Sequence, residues 1–314
     1  MFAKWRYVYE LYKEQSFTNA AKKLFISQPS LSAAIKNTEE KVGAQLFERT
    51  GHGIKLTEVG KEYIATAEKM LSAENEFENK LNDIYNLESG EITVGGANYV
   101  SSYILPKIIT KFSSLHPNIS IKLKEANSYT LSHMLESGEV DIIIDSLDDV
   151  SELKKYPLSK EKIFLCVPKD YEINKTLKKY HINPETIRNS LTDSIEAVSI
   201  DVFRNEPYIL LKEENDMYVR ASKVFSKKNI NPKVVFSVDQ LNISYALSDS
   251  GVGLCFITDT FFKYAHNREN VVLYKIEEEN DGRTLYAAHK NNKYCTKAMS
   301  EFINIAKEII EKDL

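Results

Sequence analysis

The hydrophobic pattern of the first 43 residues predicts three short helices. Apolar side chains recur at intervals of three and four residues before Gln15 and again between Pro29 and Val42, which is the spacing of helices with one buried face. Ser27 is a suitable N-cap for the third helix. Pro29 fits its first turn because the backbone N–H that proline lacks has no partner there. A shorter helix over residues 19–24 is expected between the two.

A turn and a long helix follow. Residues 50–53, Thr-Gly-His-Gly, form a turn between two short extended pieces, which is typical of a β-wing. After Thr57, spacings of four and three residues alternate along a seam formed by Tyr63, Ala67, Met70, Glu74, Phe77, Leu81 and Ile84. Because the other faces are polar, the seam predicts a coiled coil about three heptads long, and hence a homodimer joined by a linker helix over 59–88. A single helix packed on a globular core is the alternative.

Segments typical of strands and of helices alternate from residue 89 to residue 314. Continuous apolar runs such as 140–144 predict buried strands, and the order of the segments between residues 92 and 144 predicts a mostly parallel sheet covered on both faces. The segments form two blocks, which predict lobe I over about 91–161 and 269–314 and lobe II over about 162–268. The predicted fold class is α/β with an all-α-rich N-terminal domain over 1–58.

Charge is distributed unevenly along the 314 residues, whose length suits two or three domains. The net charge is −4, yet residues 1–60 hold nine Lys or Arg against six Glu, a balance of +3, which leaves −7 for the remainder. A polyanion is therefore expected to meet the N-terminal end.

Motifs for catalysis, metals and export are missing from the sequence. The six histidines show no HExxH spacing, and neither GxxxxGK[ST] nor GxSxG occurs, so we expect no enzyme, no catalytic residues, no metal and no cofactor. Cys166, Cys255 and Cys295 lack ligand spacing and are expected to be buried thiols. No apolar run reaches the roughly 20 residues that span a bilayer, and the first six residues do not resemble an export signal. A cytoplasmic protein without a membrane partner is expected, which disfavours a transport-type solute receptor.

Small polar side chains on the third helix are of the types that read DNA. Gln and Asn pair with adenine, Lys with guanine or phosphate, and Ala or Ser fits beside the thymine methyl, while wing residues reach phosphate or the minor groove. The predicted contacts to double-stranded DNA are Thr18, Ser27, Gln28, Pro29, Ser30, Ser32, Ala33, Lys36 and Asn37, with Arg49, His52 and Lys55 at the wing. An ordinary solvated surface is the alternative for each.

The stretch SFTNAAKKLFISQPSLSAAIKNTEEKVGAQLFERTGHGIKLTEVG resembles the signature of the LysR-type transcriptional regulators, including SQPSLS, G-x-x-LF-x-R and LTEVG. The segments YILPKIITKFSSLHPNISIKL, LESGEVDIIID and SDSGVGLCFI resemble the effector domain of the same family. The resemblance implies a winged helix-turn-helix, a dimerising linker helix and a two-lobed, periplasmic-binding-protein-like effector-binding domain over 89–314. It also implies a homotetramer built as a dimer of dimers, and allows contact with RNA polymerase.

Two departures from the family pattern stand out. Thr38 occupies a position where the family usually has leucine, which weakens the apolar inner face of the third helix. The segment between Pro168 and Asp201 is longer than the family norm, which leaves the boundary of the second lobe less defined.

Strand-to-helix junctions are the candidate sites for a small-molecule effector, because helix N-termini present unpaired N–H groups there. By resemblance, two junctions match the effector-contacting loops of the first lobe, and two segments lie at the corresponding edge of the second. The candidates are Asn98, Tyr99, Val100, Ser101, Ser102, Ser128, Tyr129 and Thr130, then Phe203, Arg204, Ser237 and Asp239. Plain helix caps are the alternative. Since Arg204 is the only nearby cation, we expect a small polar effector, a carboxylate held mainly by backbone N–H groups.

Lobe closure around the effector is the expected allosteric mechanism. A thiol-based redox sensor of the same family is the alternative. Cys166 and Cys255 lie in apolar segments that are predicted to be strands, where the exposure and the low pKa of a reactive thiol are not expected.

Overall fold

The computed structural model describes residues 4–50, 53–84, 89–146, 153–182, 186–187, 195–264, 270–279, 282–291 and 293–313. Two compact units are present, residues 1–81 with 137–139 and residues 82–136 with 140–314. His52, predicted at the wing, lies outside the described residues.

The N-terminal unit is a winged helix-turn-helix. Its elements are α1 (Trp5–Glu14), α2 (Phe17–Lys23), α3 (Gln28–Val42), β1 (Phe47–Thr50), β2 (Gly53–Leu56) and α4 (Glu58–Ile84). Local chemistry sets the helix ends: the hydroxyls of Ser16 and Ser27 accept the N–H groups of Asn19 and Ser30, and Gly43 ends α3 with a φ of +81°. β1 and β2 form the antiparallel wing.

The inward faces of these helices and the start of the wing build one core, which contains Val8, Leu11, Ala20, Ala21, Leu31, Ile35, Leu46, Phe47, Tyr63 and Ile64. A fully buried Leu or Ile side chain stabilises such a core by about 2 kcal/mol. Thr38, at the family's leucine position, is also buried, and its hydroxyl donates to the carbonyl of Ala34 at 2.9 Å. The polar substitution is therefore accommodated within the helix, because its hydroxyl is satisfied.

α4 begins where the wing ends. The Thr57 hydroxyl accepts the N–H of Gly60 at 2.9 Å and donates to the carbonyl of Gln45 at 2.7 Å. A Cβ on Gly60 would lie 2.0 Å from the Leu46 carbonyl oxygen, so this close approach requires glycine. Tyr63 and Ala67, the first two positions of the predicted seam, are buried in the single chain, whereas Phe77 is 61% exposed.

Lobe I contains a sheet of five strands, β3 (Gly90–Gly96), β4 (Ile119–Glu125), β5 (Ile142–Ser146), β6 (Leu153–Glu161) and β12 (Arg283–Lys290). Their order across the sheet is β4-β3-β5-β12-β6. β3 pairs in parallel with β4 and β5, while β12 is antiparallel to both of its neighbours. The predicted mostly parallel sheet is thus correct except at β12, which enters from the opposite end because the chain is returning from lobe II.

Helices cover both faces of this sheet, as predicted. α5 (Leu105–Leu115) and α11 (Lys297–Asp313) contribute to the large core on one face, and α6 (Ser128–Ser137) covers a second apolar cluster on the other. A single turn of π-helix, Val100–Ile104, leads into α5. Such wide turns are often found beside functional sites.

Lobe II is built around β7. Its strands are β7 (Ile163–Pro168), β8 (Pro207–Leu211), β9 (Lys233–Val238), β10 (Cys255–Thr258) and β11 (Val271–Tyr274), and its helices are α7 (Ile173–Thr176), α8 (Asp216–Ser226), α9 (Leu241–Asp249) and α10 (Asp259–Tyr264). β7 is antiparallel to β10 and β11. Only β8 and β9 form a parallel pair among the named strands of this lobe that the structure describes. The chain crosses between the lobes after β6 and before β12.

Candidate functional site

The two faces of α3 differ in composition. Leu31, Ala34, Ile35 and Thr38 are buried in the core of the winged helix-turn-helix. The predicted DNA contacts lie outside this core: Thr18 of α2, the N-cap Ser27, and Gln28, Pro29, Ser30, Ala33, Lys36 and Asn37 of α3 are exposed, and Ser32 is half-buried. The fold therefore presents this set outward together, as a recognition helix requires.

The wing adds a second exposed edge. Lys55 is exposed on β2, opposite Glu48, and the backbone of Arg49 pairs with Ile54. Phe25 was missed by the sequence analysis. It lies in the turn between α2 and α3 with a φ of +55°, and its side chain is 95% exposed. A single apolar residue in a turn contributes no periodicity, so no pattern indicated it.

A cleft of about 350 Å³ lies in the α/β unit. Lobe I and the start of β12 supply Ala97, Asn98, Tyr99, Glu125, Ala126, Asn127, Ser128, Thr130, Asp145 and Arg283; lobe II supplies Leu211, Asn215, Met217, Asp239, Gln240 and Leu241. The Gln240 amide donates across it to Glu125 Oε1 at 3.3 Å. The cleft thus has one wall from each lobe.

Five of the predicted effector residues line this cleft: Asn98, Tyr99, Ser128, Thr130 and Asp239. The other seven are absent from its described lining. Val100 and Phe203 are buried in the core, and the buried Ser101 hydroxyl donates to the carbonyl of Gly96 at 2.9 Å. Ser102 and Ser237 are exposed elsewhere, and Tyr129 packs edge-on against His133.

The predicted cation is also displaced. Arg204 lies outside the described lining of the cleft and pairs with Asp201 at the surface. Arg283 is instead the guanidinium that lines the cleft. It was missed because it comes from an antiparallel return strand that carries no local signal. Asp145 was missed as well, although its position at the carboxyl end of a parallel strand is where ligands commonly bind.

Beneath the cleft, buried charged residues connect the end of β6 with the start of β12, where the chain crosses between the lobes. The Arg283 side chain is 4% exposed and that of Glu161 0%, and Arg283 Nε donates to Glu161 Oε2 at 2.5 Å. Arg283 Nη2 also donates to the Tyr99 hydroxyl at 2.8 Å, which in turn donates to Glu161 Oε1 at 3.0 Å. Burial raises the pKa of Tyr99 well above its usual value, so its hydroxyl stays protonated.

Lobe II joins this network through α8. Asp216 accepts from Arg283 Nη1 at 3.2 Å and from Arg220 Nε at 3.0 Å, and Arg220 Nη1 donates to the carbonyl of Gly282 at 2.6 Å. The Thr258 hydroxyl donates to Glu161 Oε1 at 3.4 Å. A fully buried ion pair of this kind is held in place by its additional hydrogen bonds.

Two buried acceptors of the cleft residues have no hydrogen-bond partner among the described residues, Asp145 Oδ2 and Asn98 Oδ1. Asp145 is 1% exposed, and its Oδ1 accepts the N–H of Ser146 at 2.8 Å. Burial raises the pKa of this carboxyl to about 6, against the opposing influence of the Ser128 hydroxyl and Arg283. Unsatisfied buried acceptors in a cleft are positions where a ligand donor is expected.

Within the described part of the chain, no group of three His, Cys, Asp or Glu side chains is arranged to hold a metal ion. None of the helices in that part combines the length and the apolar character needed to cross a bilayer.

Two family models match the chain: "Bacterial regulatory helix-turn-helix protein, lysR family" over residues 2–61 and "LysR substrate binding domain" over 86–310. YcgK of Bacillus subtilis strain 168, an HTH-type transcriptional regulator, is 26% identical and aligns with 98% of this chain and 94% of its own. A probable RuBisCO transcriptional regulator of Thalassiosira pseudonana is 27% identical over 93% of this chain and 92% of its own.

Solved structures share the fold. A full-length OxyR variant from Pseudomonas aeruginosa superposes with a TM-score of 0.69 at 20% identity, covering 99% of this chain and 97% of its own. CbnR in complex with its target DNA gives 0.65 at 14% identity, covering 100% of both chains. Members of the matched family are transcriptional regulators and not enzymes. This chain belongs to the LysR family of DNA-binding transcriptional regulators.

Proposed function

We propose that this LysR-family regulator reads its operator with the outward face of α3 and responds to a small polar molecule bound between its two lobes. The observation that carries the second part is the cleft itself, which has one wall from each lobe and two buried acceptors without partners in the described structure. Since both lobes contact the ligand, it binds one closure state better than the other and shifts the balance between them. By linkage, operator DNA then changes the affinity for the ligand as much as the ligand changes the affinity for DNA.

DNA reading by α3 is tested with Asn37→Ala in the full chain, on double-stranded fragments from upstream of its own coding region. Loss of an amide contact to adenine weakens binding about tenfold. Asn205→Ala, the same change at an exposed position of lobe II, is the control and leaves the affinity unchanged. Equal affinities of Asn37→Ala and the parent protein on every bound fragment contradict this role.

The response to a cleft ligand is tested by filling the cleft. Ala126 lines it, so Ala126→Trp abolishes any change in DNA affinity that small-molecule extract from the host causes in the parent protein. Ser102→Trp, at an exposed position outside the described lining, keeps that change. An extract response that survives Ala126→Trp in full places the effector elsewhere.

Self-association through α4 is part of the proposal. Phe77 lies on the predicted seam and is 61% exposed in the single chain, an unusual position for a large aromatic side chain. Phe77→Glu therefore dissociates the dimer, which sedimentation velocity measures. A tetramer built from two such dimers, contact with RNA polymerase and action on DNA in the cytoplasm remain predictions.

A thiol switch is the second candidate, because Cys166 and Cys255 are direct cross-strand partners in β7 and β10. Both are buried, and burial raises the pKa of the Cys166 thiol well above its usual value, which disfavours the reactive thiolate. We therefore expect no disulfide after mild peroxide treatment. Mass spectrometry that finds a reversible Cys166–Cys255 bond supports the redox function instead.

A further inference from the structure

We propose that the effector of this regulator carries a protonated amine on a short hydrocarbon, with the amine bound by Asp145 and Asn98. This inference rests on the proposed function, because it concerns the ligand of the same cleft. It differs from the carboxylate expected from the sequence, and the distribution of acceptors, charges and apolar groups in the cleft carries it.

Asp145 supplies a buried carboxylate oxygen that lacks a described partner. The residue lies one position before the end of β5, is 1% exposed and lines the cleft. Its Oδ1 accepts the N–H of Ser146, and the Ser128 hydroxyl also interacts with its carboxyl. Its Oδ2 has no hydrogen-bond partner among the described residues. An ionised carboxylate is an acceptor only, so this oxygen can be satisfied by a ligand that donates a proton and not by another anion.

Asn98 adds a second acceptor. Its Nδ2 donates to Glu125 Oε1 at 2.9 Å, which fixes the orientation of the amide and leaves Oδ1 as the buried atom without a described partner. A neutral alcohol has one proton to donate. A primary ammonium group has three, which is enough to donate to both oxygens of the same cleft.

The charged groups around the cleft favour a cation. Among its described lining residues are three carboxylates, those of Glu125, Asp145 and Asp239, and one guanidinium, that of Arg283. Asp239 is paired with Lys212 at 2.8 Å, which leaves Glu125 and Asp145 as the negative groups. That guanidinium is already engaged by Glu161, Tyr99 and Asp216. The N-terminus of α6, from which the sequence predicts an anion site, begins at Ser128, whose hydroxyl already interacts with the Asp145 carboxyl. The protein itself therefore supplies the negative charge at this end.

Part of the opposite wall suits a hydrocarbon, beside the polar Asn215, Asp239 and Gln240 of the same lobe. Leu211, Met217 and Leu241 of lobe II line the cleft, and each is almost fully buried. Apolar contact on one side and paired acceptors on the other orient an amphiphilic ligand with its amine toward lobe I. Charge recognition and closure of the lobes are then linked, because the two ends of the ligand contact different lobes.

The experiment compares four-carbon probes that differ only in their head group: n-butylamine, 1-butanol and butyrate. Isothermal titration with the full-length protein at pH 7.5 measures each affinity. We expect n-butylamine to bind at least about tenfold more tightly than the other two probes, because it alone makes a charged contact with the Asp145 carboxylate. Asp145→Asn removes that preference and Asn98→Ala reduces it, while Asp201→Asn, at the surface, keeps it.

Each outcome decides the inference. Preferential binding of butyrate or 1-butanol, or an amine preference that survives Asp145→Asn, overturns it. So does the absence of binding by all three probes at about 10 mM. None of these results removes the extract response that Ala126→Trp tests, so the proposed function is judged separately. If Asp145→Asn fails to fold, the Asn98→Ala affinity decides.

Discussion

The outer face of α3 and the cleft between the lobes serve recognition in different ways. On α3 the polar side chains are exposed, next to one another in sequence, and carried by a helix whose other face is apolar. In and beneath the cleft, a network of mostly buried charged groups comes from β5, β6, β12 and α8, far apart in the chain. Substitutions on α3 should therefore change DNA binding with little effect on folding, whereas substitutions below the cleft should change both stability and response.

The sharpest test of this difference is Arg283→Met. Removal of the guanidinium leaves Glu161 buried and uncompensated, which destabilises the protein by about 3–5 kcal/mol. Urea unfolding of the full chain, monitored by a spectroscopic signal from the α/β unit, measures the loss of stability. Arg204→Met breaks an exposed pair with Asp201 and is expected to change stability by less than about 1 kcal/mol. Similar losses for both variants would show that burial does not distinguish them.

Asp145→Asn is predicted to stabilise the ligand-free protein. Burial raises the pKa of Asp145 to about 6, so the folded state binds a proton more tightly than the unfolded state. The parent protein therefore loses stability as pH rises from about 4 to about 6, and the deficit persists above that range. The variant lacks this titration and should be more stable above pH 6 by at most about 3 kcal/mol.

Thermal and urea unfolding across that pH range measure the difference. Asp259, whose pKa burial also raises to about 6, is present in both proteins, so its contribution cancels. A stability difference that does not change with pH would mean that Asp145 does not titrate in this way.

The smallest expected effect concerns backbone packing in the N-terminal unit. A Cβ at Gly60 would lie 2.0 Å from the Leu46 carbonyl oxygen, and Gly60→Ala is expected to destabilise this unit by about 2 kcal/mol and to weaken DNA binding. At Gly43 nothing lies within 4 Å of the new Cβ, but φ is +81°, so Gly43→Ala costs about 1 kcal/mol. Hydrogen exchange of the α3 and α4 amides compares the two. A larger effect at Gly43 would show that conformation outweighs the steric clash.

Sequence by itself determined the N-terminal unit in most of its detail. Ser27, Pro29 and Gly43 mark the ends of α3 because caps and turns depend on neighbours a few residues away. The same local rules predicted the exposed face of α3. They also predicted that strands and helices alternate beyond residue 89.

Only the tertiary structure decided the composition of the cleft. Strand order and the return of β12 bring Arg283 beneath the loop that holds Asn98 and Tyr99. Glu161 ends β6, where the chain crosses to lobe II, and it contacts Arg283 at the start of β12, where the chain returns. Arg204 and Ser237 have suitable side chains but lie outside the described lining. Hydrogen bonds between residues far apart in the chain produce no periodic pattern in the sequence. The missing partner of Asp145 produces none either, because whether a buried polar group is hydrogen-bonded depends on all the residues packed around it.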